Sequence, residues 1–353
     1  MNRTELAILI VTWNNADQIG ECLRALSMPP PEGVDVHIVV VDNASSDDTA
    51  TIVAEQFPHV QLIHAETNRG FTGGNNLGWS FIREQYPAID YLVLLNPDTV
   101  VQPGWLEPLL TYMADHPKVA AVQPKLLLPD GRHIDTVGNR SHYLGFGYTV
   151  GHGEVDHGQY DEPRAIDFAS GAAVMLRASL IREHGLFDEP MFMYLEDAEL
   201  AWRWRLLGYE THSMPRSIVL HRHDPAATLQ CHLMQLEKNR WWLLLSYYRW
   251  RTLIALLPVV LVTELGVFIW ALLRGQGGDK CLAWRWLLSA PIRRALHEKR
   301  KTIQRLRTIG DRELTASFAA RLETPMLNRG IVRWIVNPVL AGYWRLVRIM
   351  LRW

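Results

Sequence analysis

Two aspartates, Asp42 and Asp98, each follow an apolar run of strand length, where a strand would carry a carboxylate to the edge of a sheet. An aspartate in that position is commonly a helix cap or a turn residue. Asp98 has more context, because it follows Asn96 and Pro97. A lone carboxylate beside an open pocket suits Mg²⁺ or Mn²⁺, which bind few protein groups and complete their shell with phosphate and water. Such an ion would neutralise the charge of a departing diphosphate.

A glycine-rich segment, residues 68–78, is a second candidate for chemistry. We predict a loop, in which glycines let the backbone approach a ligand and Arg69 offers a bidentate donor to phosphate. The segment lacks the Gly-Lys-Ser/Thr ending of a P-loop and the Gly-x-Gly-x-x-Gly pattern of dinucleotide-binding proteins. A purely structural turn is the alternative.

Acidic residues form a third candidate, with Glu196, Asp197 and Glu199 at the start of a helix predicted over residues 196–207. Acids in the first turn commonly do no more than complement the helix dipole. One of them could instead serve as a general base for a hydroxyl group.

A pair of histidines, His221 and His223, follows a strand-like run at residues 217–220. Side chains two apart on a strand point in opposite directions. We therefore expect at most one of the two histidines to bind an ion.

Near-continuous apolar runs predict the strands that would position these residues. The first four strands are predicted at residues 5–13, 34–41, 60–64 and 91–95, and helices at 17–26 and 49–57 follow the first two. Shorter strands are predicted at residues 119–123, 168–176 and 210–215. Strands alternating with helices are typical of a parallel sheet covered on both faces. Ligands gather at the carboxyl ends of such strands, where the polar clusters after the first four strands fall.

The C-terminal part of the chain differs in charge from the rest. The net charge is -1, yet residues 274–353 carry 17 Lys and Arg against five Asp and Glu, which leaves 19 basic and 32 acidic residues before them. We predict a catalytic domain at residues 1–230 and a helical, hydrophobic and basic region at residues 231–353 that associates with a membrane surface. The three cysteines are widely separated, which suits a reducing cytosol, and we expect no signal peptide.

An apolar run at residues 253–273 is long enough to cross about 30 Å of hydrocarbon. Pro258 and Glu264 interrupt it, so a membrane-embedded hairpin or an in-plane helix fits as well as a crossing. The segments 281–307 and 331–353 interleave Trp, Leu and Ile with Arg, as helices in an anionic headgroup layer do. The alternative is a helical subdomain that packs on the catalytic domain or on a dimer mate.

Several ordered motifs resemble family 2 glycosyltransferases with the GT-A fold, especially their rhamnosyltransferase-like branch. They are Val11-Thr12-Trp13-Asn14, Val41-Asp42-Asn43-Ala44-Ser45-Ser46-Asp47, Asn68-Arg69-Gly70-Phe71, Asn96-Pro97-Asp98-Thr99, Gly171-Ala172 and Glu196-Asp197. The resemblance covers roughly residues 5–225, nearly two-thirds of the chain. It implies a Rossmann-like α/β fold, with a mostly parallel sheet and helices on both faces.

The resemblance also implies which residues bind the nucleotide-sugar donor. They are Thr12, Asn14, Asp42, Asn43, Arg69, Asn75, Asn96 and Asp98. Asp98 would be the last carboxylate of the metal-binding motif, and His221 a further ligand of Mg²⁺ or Mn²⁺ or of the diphosphate. Many relatives have more than one aspartate where this chain has Asn96-Pro97-Asp98, so the strictness of the metal requirement is open.

On the acceptor side, the resemblance makes Gly171 and Ala172 the floor beneath the donor sugar. Asp197 would be the catalytic base, with Glu196 beside it to touch the acceptor. The deprotonated acceptor hydroxyl would attack the anomeric carbon in line with the nucleoside diphosphate and invert the anomeric centre.

We predict transfer of rhamnose from dTDP-rhamnose to a lipid-linked or polysaccharide acceptor in cell-envelope glycan synthesis, at the cytoplasmic face of the plasma membrane. The alternatives are a non-catalytic membrane-bound scaffold with a degenerate transferase domain, and a sugar nucleotidyltransferase or NAD-dependent enzyme. Aromatic residues of the basic tail alternate with aliphatic ones at helical spacing, which favours lipid over nucleic acid as a partner. No motif encodes the linkage or the oligomeric state.

Overall fold

The computed structural model describes residues 3–222, 232–323, 330 and 332–353. The chain divides into two compact units, the first of Met1–Asn139, Thr149–Met193 and Tyr209–His223, the second of Arg140–Tyr148, Tyr194–Gly208 and Asp224–Trp353. The predicted domain boundary between residues 230 and 231, His223 and Cys231 lie outside the described residues, and what was predicted of them stays a prediction.

The described residues contain twelve strands. They are β1 (Thr4–Thr12), β2 (Val34–Asp42), β3 (Gln61–His64), β4 (Tyr91–Leu95), β5 (Thr99–Val101), β6 (Val119–Leu127), β7 (Ile134–Thr136), β8 (Asn139–Ser141), β9 (Gly147–Thr149), β10 (Arg164–Ile166), β11 (Ala173–Arg177) and β12 (Glu210–His221).

Twelve α-helices also lie in the described part of the chain. They are α1 (Ile19–Leu26), α2 (Thr49–Gln56), α3 (Gly70–Gln85), α4 (Leu106–Asp115), α5 (Ala178–His184), α6 (Glu196–Leu206), α7 (Leu233–Tyr247), α8 (Trp250–Leu273), α9 (Gly277–Leu288), α10 (Ala290–Leu306), α11 (Asp311–Leu314) and α12 (Asn337–Met350). A 3₁₀ turn at Glu189–Met191 and a π-helical turn at Val332–Val336 complete the set.

A single ten-stranded sheet forms the centre of the first unit, in the order β10-β12-β6-β11-β4-β1-β2-β3, with β5 beside β12 and β7 beside β6. Strands β3, β2, β1 and β4 run parallel to one another, as do β6 and β12, whereas β11 runs antiparallel between β4 and β6. Strand β4 is buried along its whole length, as expected for a strand covered on both faces. The predicted α/β fold with a mostly parallel sheet is confirmed.

The predicted loop at residues 68–78 is wrong, because helix α3 begins at Gly70 and runs through it. Two glycines of this helix, Gly74 and Gly78, lie close against the sheet. A Cβ atom on Gly74 would come within 2.6 Å of Val11, and one on Gly78 within 2.3 Å of Leu9. Glycine-rich segments commonly interrupt helices, but here glycine lets a helix approach the strands beneath it.

Two further strand predictions need correction. Residues 210–215 and 217–220 belong to one continuous strand, β12, which ends at His221. His221 therefore lies on the strand rather than after it. The predicted strand at 168–176 is shorter, because β11 begins only at Ala173.

The second unit is helical and includes α6 as well as the C-terminal helices α7 to α12. The predicted C-terminal helical region is confirmed. Within the described residues, α8 alone is long and apolar enough to cross a membrane, by length and composition. Glu264, which interrupts its apolar sequence, is buried and forms ion pairs with Arg240 and Lys280.

Candidate active site

The carboxyl edge of the sheet in the first unit brings together the residues predicted to bind a donor. Thr12 pairs with Asp42 at the ends of β1 and β2, and Asp42 pairs with His64 at the end of β3. Strand β4 ends beside them, so Asn96 follows at the same edge. In open parallel sheets this edge is where ligands bind.

The loops after β1 and β2 are tied into one wall by hydrogen bonds. Asn14 adopts a left-handed conformation with φ of 56°, its N–H donates to Ser45 Oγ at 3.0 Å, and its Oδ1 accepts from the N–H of Ser46 at 2.8 Å. Asp42 Oδ1 accepts from the N–H of Ser45 at 3.2 Å. Asn14 therefore joins the loops after β1 and β2, and Asp42 is buried at the end of β2.

Two of the predicted donor-binding asparagines are buried and bonded to backbone groups. Asn43 Nδ2 donates to the carbonyl of Gly70 at 3.1 Å, and its Oδ1 accepts from the N–H of Arg69 at 2.9 Å. Asn75 Nδ2 donates to the carbonyl of Phe71 at 2.8 Å, within α3. These bonds fix the start of α3, and direct contact of either side chain with a donor stays a prediction.

Arg69 lies at the start of α3 with an exposed guanidinium 3.2 Å from Glu189 Oε1. Exposed ion pairs contribute only about 0–1 kcal/mol, so this pair would release the guanidinium readily to a phosphate. On the other side of the site, the N–H of Asn96 donates to the carbonyl of Ala172 at 2.8 Å. Gly171 lies under the ring of Phe71, which a Cβ would meet at 3.1 Å.

The two predicted metal ligands lie next to each other. His221 Nε2 is 3.6 Å from Asp98 Oδ1, because the end of β12 pairs with β5, directly after Asp98. The other ring nitrogen, His221 Nδ1, is 2.8 Å from Asp135 Oδ2. Asp135 is a buried residue of β7, and no sequence pattern points to it because it is 86 positions from the histidine.

These neighbours shift the pKa of His221. Burial by itself disfavours the charged imidazolium, but the hydrogen bond to Asp135 and the charges of Asp98 and Asp135 outweigh it and raise the pKa of His221 above its usual value. The result is a histidine held between two carboxylates in a largely buried position.

The residues at Asp98 and His221 suit a divalent ion. A carboxylate oxygen and an imidazole nitrogen are ligands that Mn²⁺ accepts, and a buried carboxylate on the remote ring nitrogen is the usual means of orienting a metal-binding histidine. No group of three or more His, Cys, Asp or Glu that could hold an ion is found among the described residues. An ion bound here would need ligands from diphosphate or water.

The acidic pair of the second unit begins α6, and the two carboxyls differ in environment. Tyr194 and Leu195, just before it, both have left-handed backbone, with φ of 68° and 63°. Glu196 is buried, and within the described structure its Oε2 accepts no hydrogen bond. Burial, and then the neighbouring charge of Asp197, raise the pKa of Glu196 well above its usual value.

Asp197 is half-buried and its Oδ1 accepts a hydrogen bond from the N–H of Ala198 at 2.7 Å. The third acid, Glu199, is fully buried and contacts Arg203 at 3.0 Å and Lys299 at 2.7 Å. Although burial opposes it, the charges of these two cations lower the pKa of Glu199. Glu199 thus joins α6 to α10, and Asp197 is the least buried of the three acids.

Polar loops at the carboxyl edge of a mostly parallel sheet form a site of the kind at which such folds bind ligands. The chain belongs to glycosyl transferase family 2, whose family model matches residues 7–185, about half of the chain. It is therefore a glycosyltransferase, as the motifs predicted.

Two relatives are rhamnosyltransferases. An N-acetylglucosaminyl-diphospho-decaprenol L-rhamnosyltransferase of Mycobacterium tuberculosis is 27% identical over 250 residues, covering 64% of this chain and 81% of the relative. The rhamnosyltransferase WbbL of Escherichia coli K12 is 26% identical over 232 residues, covering 62% of this chain and 84% of the relative. The predicted similarity to the rhamnosyltransferase-like branch is confirmed.

The fold is also that of a solved glycosyltransferase structure. GalNAc-T7 with UDP, GalNAc and Mn²⁺ superposes with a TM-score of 0.57 at 14% sequence identity, covering 70% of this chain. The match spans 49% of the GalNAc-T7 chain, about half its length. The predicted GT-A fold is confirmed by this likeness.

Proposed function

We propose that this enzyme transfers rhamnose from dTDP-rhamnose to a lipid-linked acceptor in cell-envelope glycan synthesis, at the cytoplasmic face of the plasma membrane. The observation that carries the proposal is the similarity to two rhamnosyltransferases over most of their length. One of these relatives is named for a diphospho-decaprenol acceptor. A lipid-linked acceptor fits a chain whose second unit exposes a large apolar surface.

The donor is proposed to bind at the carboxyl edge of the sheet. Asp42 and the loops around Asn14 would contact the nucleoside, and Arg69 would pair with the diphosphate, since a guanidinium matches phosphate oxygens in a bidentate way. Gly171 and Ala172 lie beside Asn96, and we propose that they contact the donor sugar.

A divalent ion is proposed to bind between Asp98 and His221, with Asp135 orienting the histidine. When bound, the ion would stabilise negative charge on the leaving diphosphate. The GalNAc-T7 structure contains Mn²⁺ together with UDP, which supports this proposal for a protein of the same fold.

Asp197 is our proposed catalytic base. It would take the proton from the acceptor hydroxyl, whose oxygen attacks the anomeric carbon while the bond to the nucleoside diphosphate breaks. A single displacement needs one base and inverts the anomeric centre. Glu196, next to it, would contact the acceptor.

Nucleotide binding tests the proposed donor. The thermal stability of the detergent-purified protein is measured with dTDP, UDP and GDP, each with and without Mn²⁺. A ligand at about 100 times its dissociation constant stabilises the native state by about 2.7 kcal/mol, which is readily measured. We expect the largest shift with dTDP, increased by Mn²⁺ in the wild type and not in Asp98→Ala.

A matched control is Asp130→Asn, because Asp130 is an exposed acid of the same unit. It should respond to nucleotide and Mn²⁺ as the wild type does. A larger shift with UDP or GDP than with dTDP would contradict the proposed donor. Absence of any shift in a folded protein would favour the degenerate-scaffold alternative.

A further inference from the structure

Most of the large apolar side chains exposed on the described structure lie within residues 250–353. Only Trp13 and Val155 lie elsewhere. Those of α8 are Trp250, Ile254, Leu257, Leu261, Val262, Leu265, Ile269, Leu272 and Leu273, with exposed fractions from 48% to 84%. Most of them recur every three or four residues, so they form one face of the helix. A patch of this kind on a folded unit marks an interaction site.

The opposite face of α8 is buried in the second unit and includes two residues that make polar contacts there, Thr252 and Glu264. Near its start, Thr252 and the N–H of Arg249 both donate to buried Asp311, the latter at 2.8 Å. Further along, Glu264 lies 2.8 Å from Lys280 of α9 and also pairs with Arg240 of α7. A helix crossing the bilayer would have to take these neighbouring charges into hydrocarbon, which is costly.

Helix α12 packs on α8 and also exposes apolar side chains. The hydroxyl of Tyr343 donates to the carbonyl of Ala255 at 2.6 Å, so α12 packs directly on α8. Leu340, Trp344 and Val347 are buried on one side of α12. The residues exposed on α12 and on the turn before it are Trp334, Ile335, Val339, Leu346, Ile349 and Met350.

Arginines paired with tryptophans accompany this surface. The guanidinium of Arg274 lies 4.9 Å from the ring centre of Trp270 at the end of α8, and that of Arg251 lies 5.6 Å from Trp353 at its start. Both arginines are exposed. Amphipathic side chains of these two types are characteristic of the membrane interface, where the cation meets anionic headgroups and the ring meets the acyl boundary.

We propose that the exposed face of α8 and α12 lies in the plane of an anionic bilayer, with α8 parallel to the surface and not crossing it. The apolar face enters the acyl boundary by about 5–10 Å, and Arg251 and Arg274 contact headgroups at both ends of α8. This goes beyond the proposed function, because it specifies the surface and the mode of membrane binding and depends on neither the donor nor the acceptor.

The depth of single residues in the membrane tests the proposal. Spin labels are placed at Ile254, Leu261 and Leu272 of the full-length protein, one at a time, with Cys231 and Cys281 replaced by serine. Cys22 is buried, and its burial raises the pKa of the thiol to about 12, so it should not be labelled. Power-saturation measurements then give depth in vesicles of phosphatidylcholine with about 30% phosphatidylglycerol.

We expect all three labels at the same shallow depth. Residues 254 and 272 are about 27 Å apart along the helix axis, so a crossing helix would place them at opposite interfaces, with residue 261 near the bilayer centre. That profile would overturn the proposal. Labels that stay at aqueous accessibility in the presence of vesicles would also overturn it, and would point to a second copy of the chain as the partner of this face.

A paired substitution supplies a second test that does not require labelling. Leu261→Glu with Leu265→Glu places charge on the exposed face and should weaken co-sedimentation with anionic vesicles about tenfold or more. Val155→Glu, a change at an exposed apolar residue of the first unit, should leave vesicle binding unchanged. The thermal shift with dTDP should be the same in the wild type and in both of these variants. This result would separate failure of membrane binding from failure of the proposed function. Equal vesicle binding by all three would overturn the proposal.

Discussion

Replacement of Asp135 tests whether a buried carboxylate holds His221 in place as a ligand. His221 Nδ1 lies 2.8 Å from Asp135 Oδ2, and both side chains are buried. Asp135→Asn keeps the shape and an acceptor oxygen but removes the charge. Asp135→Ala removes the acceptor altogether and leaves a buried ring N–H without a bond at that position.

The size of the effect follows from the type of hydrogen bond. A bond to a charged group contributes about 1.5–3 kcal/mol and a neutral one about 0.5–1.5 kcal/mol. Asp135→Asn should therefore cost about 1–1.5 kcal/mol, or about five- to twelvefold in affinity for the ion, and Asp135→Ala about 10- to 150-fold. Loss of an outer partner of a metal-binding histidine commonly costs 10- to 100-fold, in agreement with this range.

The assay is the Mn²⁺ concentration that gives half of the maximal thermal stabilisation at saturating dTDP, with the transfer rate measured in parallel. The control is Asp130→Asn, because Asp130 pairs with His133 in the same unit while their side chains are 47% and 42% exposed. Exposed pairs contribute about 0–1 kcal/mol, so this variant should match the wild type. If both Asp135 variants also matched the wild type, the assignment of His221 as an oriented ligand would be refuted.

Three further predictions concern the stability of the two units. Gly78→Ala should destabilise the first unit by about 1–3 kcal/mol through overpacking. Gly266→Ala, where a Cβ meets no atom within 4 Å, should be neutral or slightly stabilising. Chemical denaturation measures the free energy of unfolding of both variants. Glu199→Gln should lower the free energy of unfolding by about 3–5 kcal/mol, because it removes the carboxylate that pairs with two cations. Glu298→Gln, at an exposed position of α10, should leave the free energy of unfolding unchanged. An equal effect of both substitutions would be evidence against the buried network. Burial opposes ionisation of Glu237, but the charges of Arg240 and Lys280 lower its pKa to about 2. The stabilising contribution of Glu237 is therefore present above about pH 4.3 and lost as the pH falls towards 2. The free energy of unfolding of Glu237→Gln should depend less steeply on pH in that window.

The strands at the centre of the sheet could be predicted from the sequence because their signal is local. The apolar run at residues 91–95 coincides with β4, and the runs at 5–13 and 34–41 differ from β1 and β2 by one residue at most at each end. Polar residues after these strands identified the carboxyl edge without any knowledge of the partners. The positions of these strands and of the polar residues after them are determined by residues adjacent in the sequence.

The remaining features depend on contacts between distant parts of the chain. Glycines at 74 and 78 favour a loop by local propensity, but tertiary packing on Leu9 and Val11 makes that segment a helix. Asp135 could not be selected, because nothing near it in sequence indicates that β7 brings it to His221. Glu264 is a similar case, because its sequence neighbours show only a charge within an apolar run. Its ion-pair partners, Lys280 and Arg240, are distant in sequence.

Transfer of labelled rhamnose from dTDP-rhamnose to a polyprenyl-diphosphate-linked acceptor, by the wild type and by Asp197→Asn, is the most direct test of the central claim. We expect the wild type to form an inverted product, and Asp197→Asn to lose transfer while its thermal shift with dTDP is retained. Turnover by Asp197→Asn at the wild-type rate would remove Asp197 as the base. Transfer by the wild type from another nucleotide sugar, with none from dTDP-rhamnose, would contradict the proposed donor.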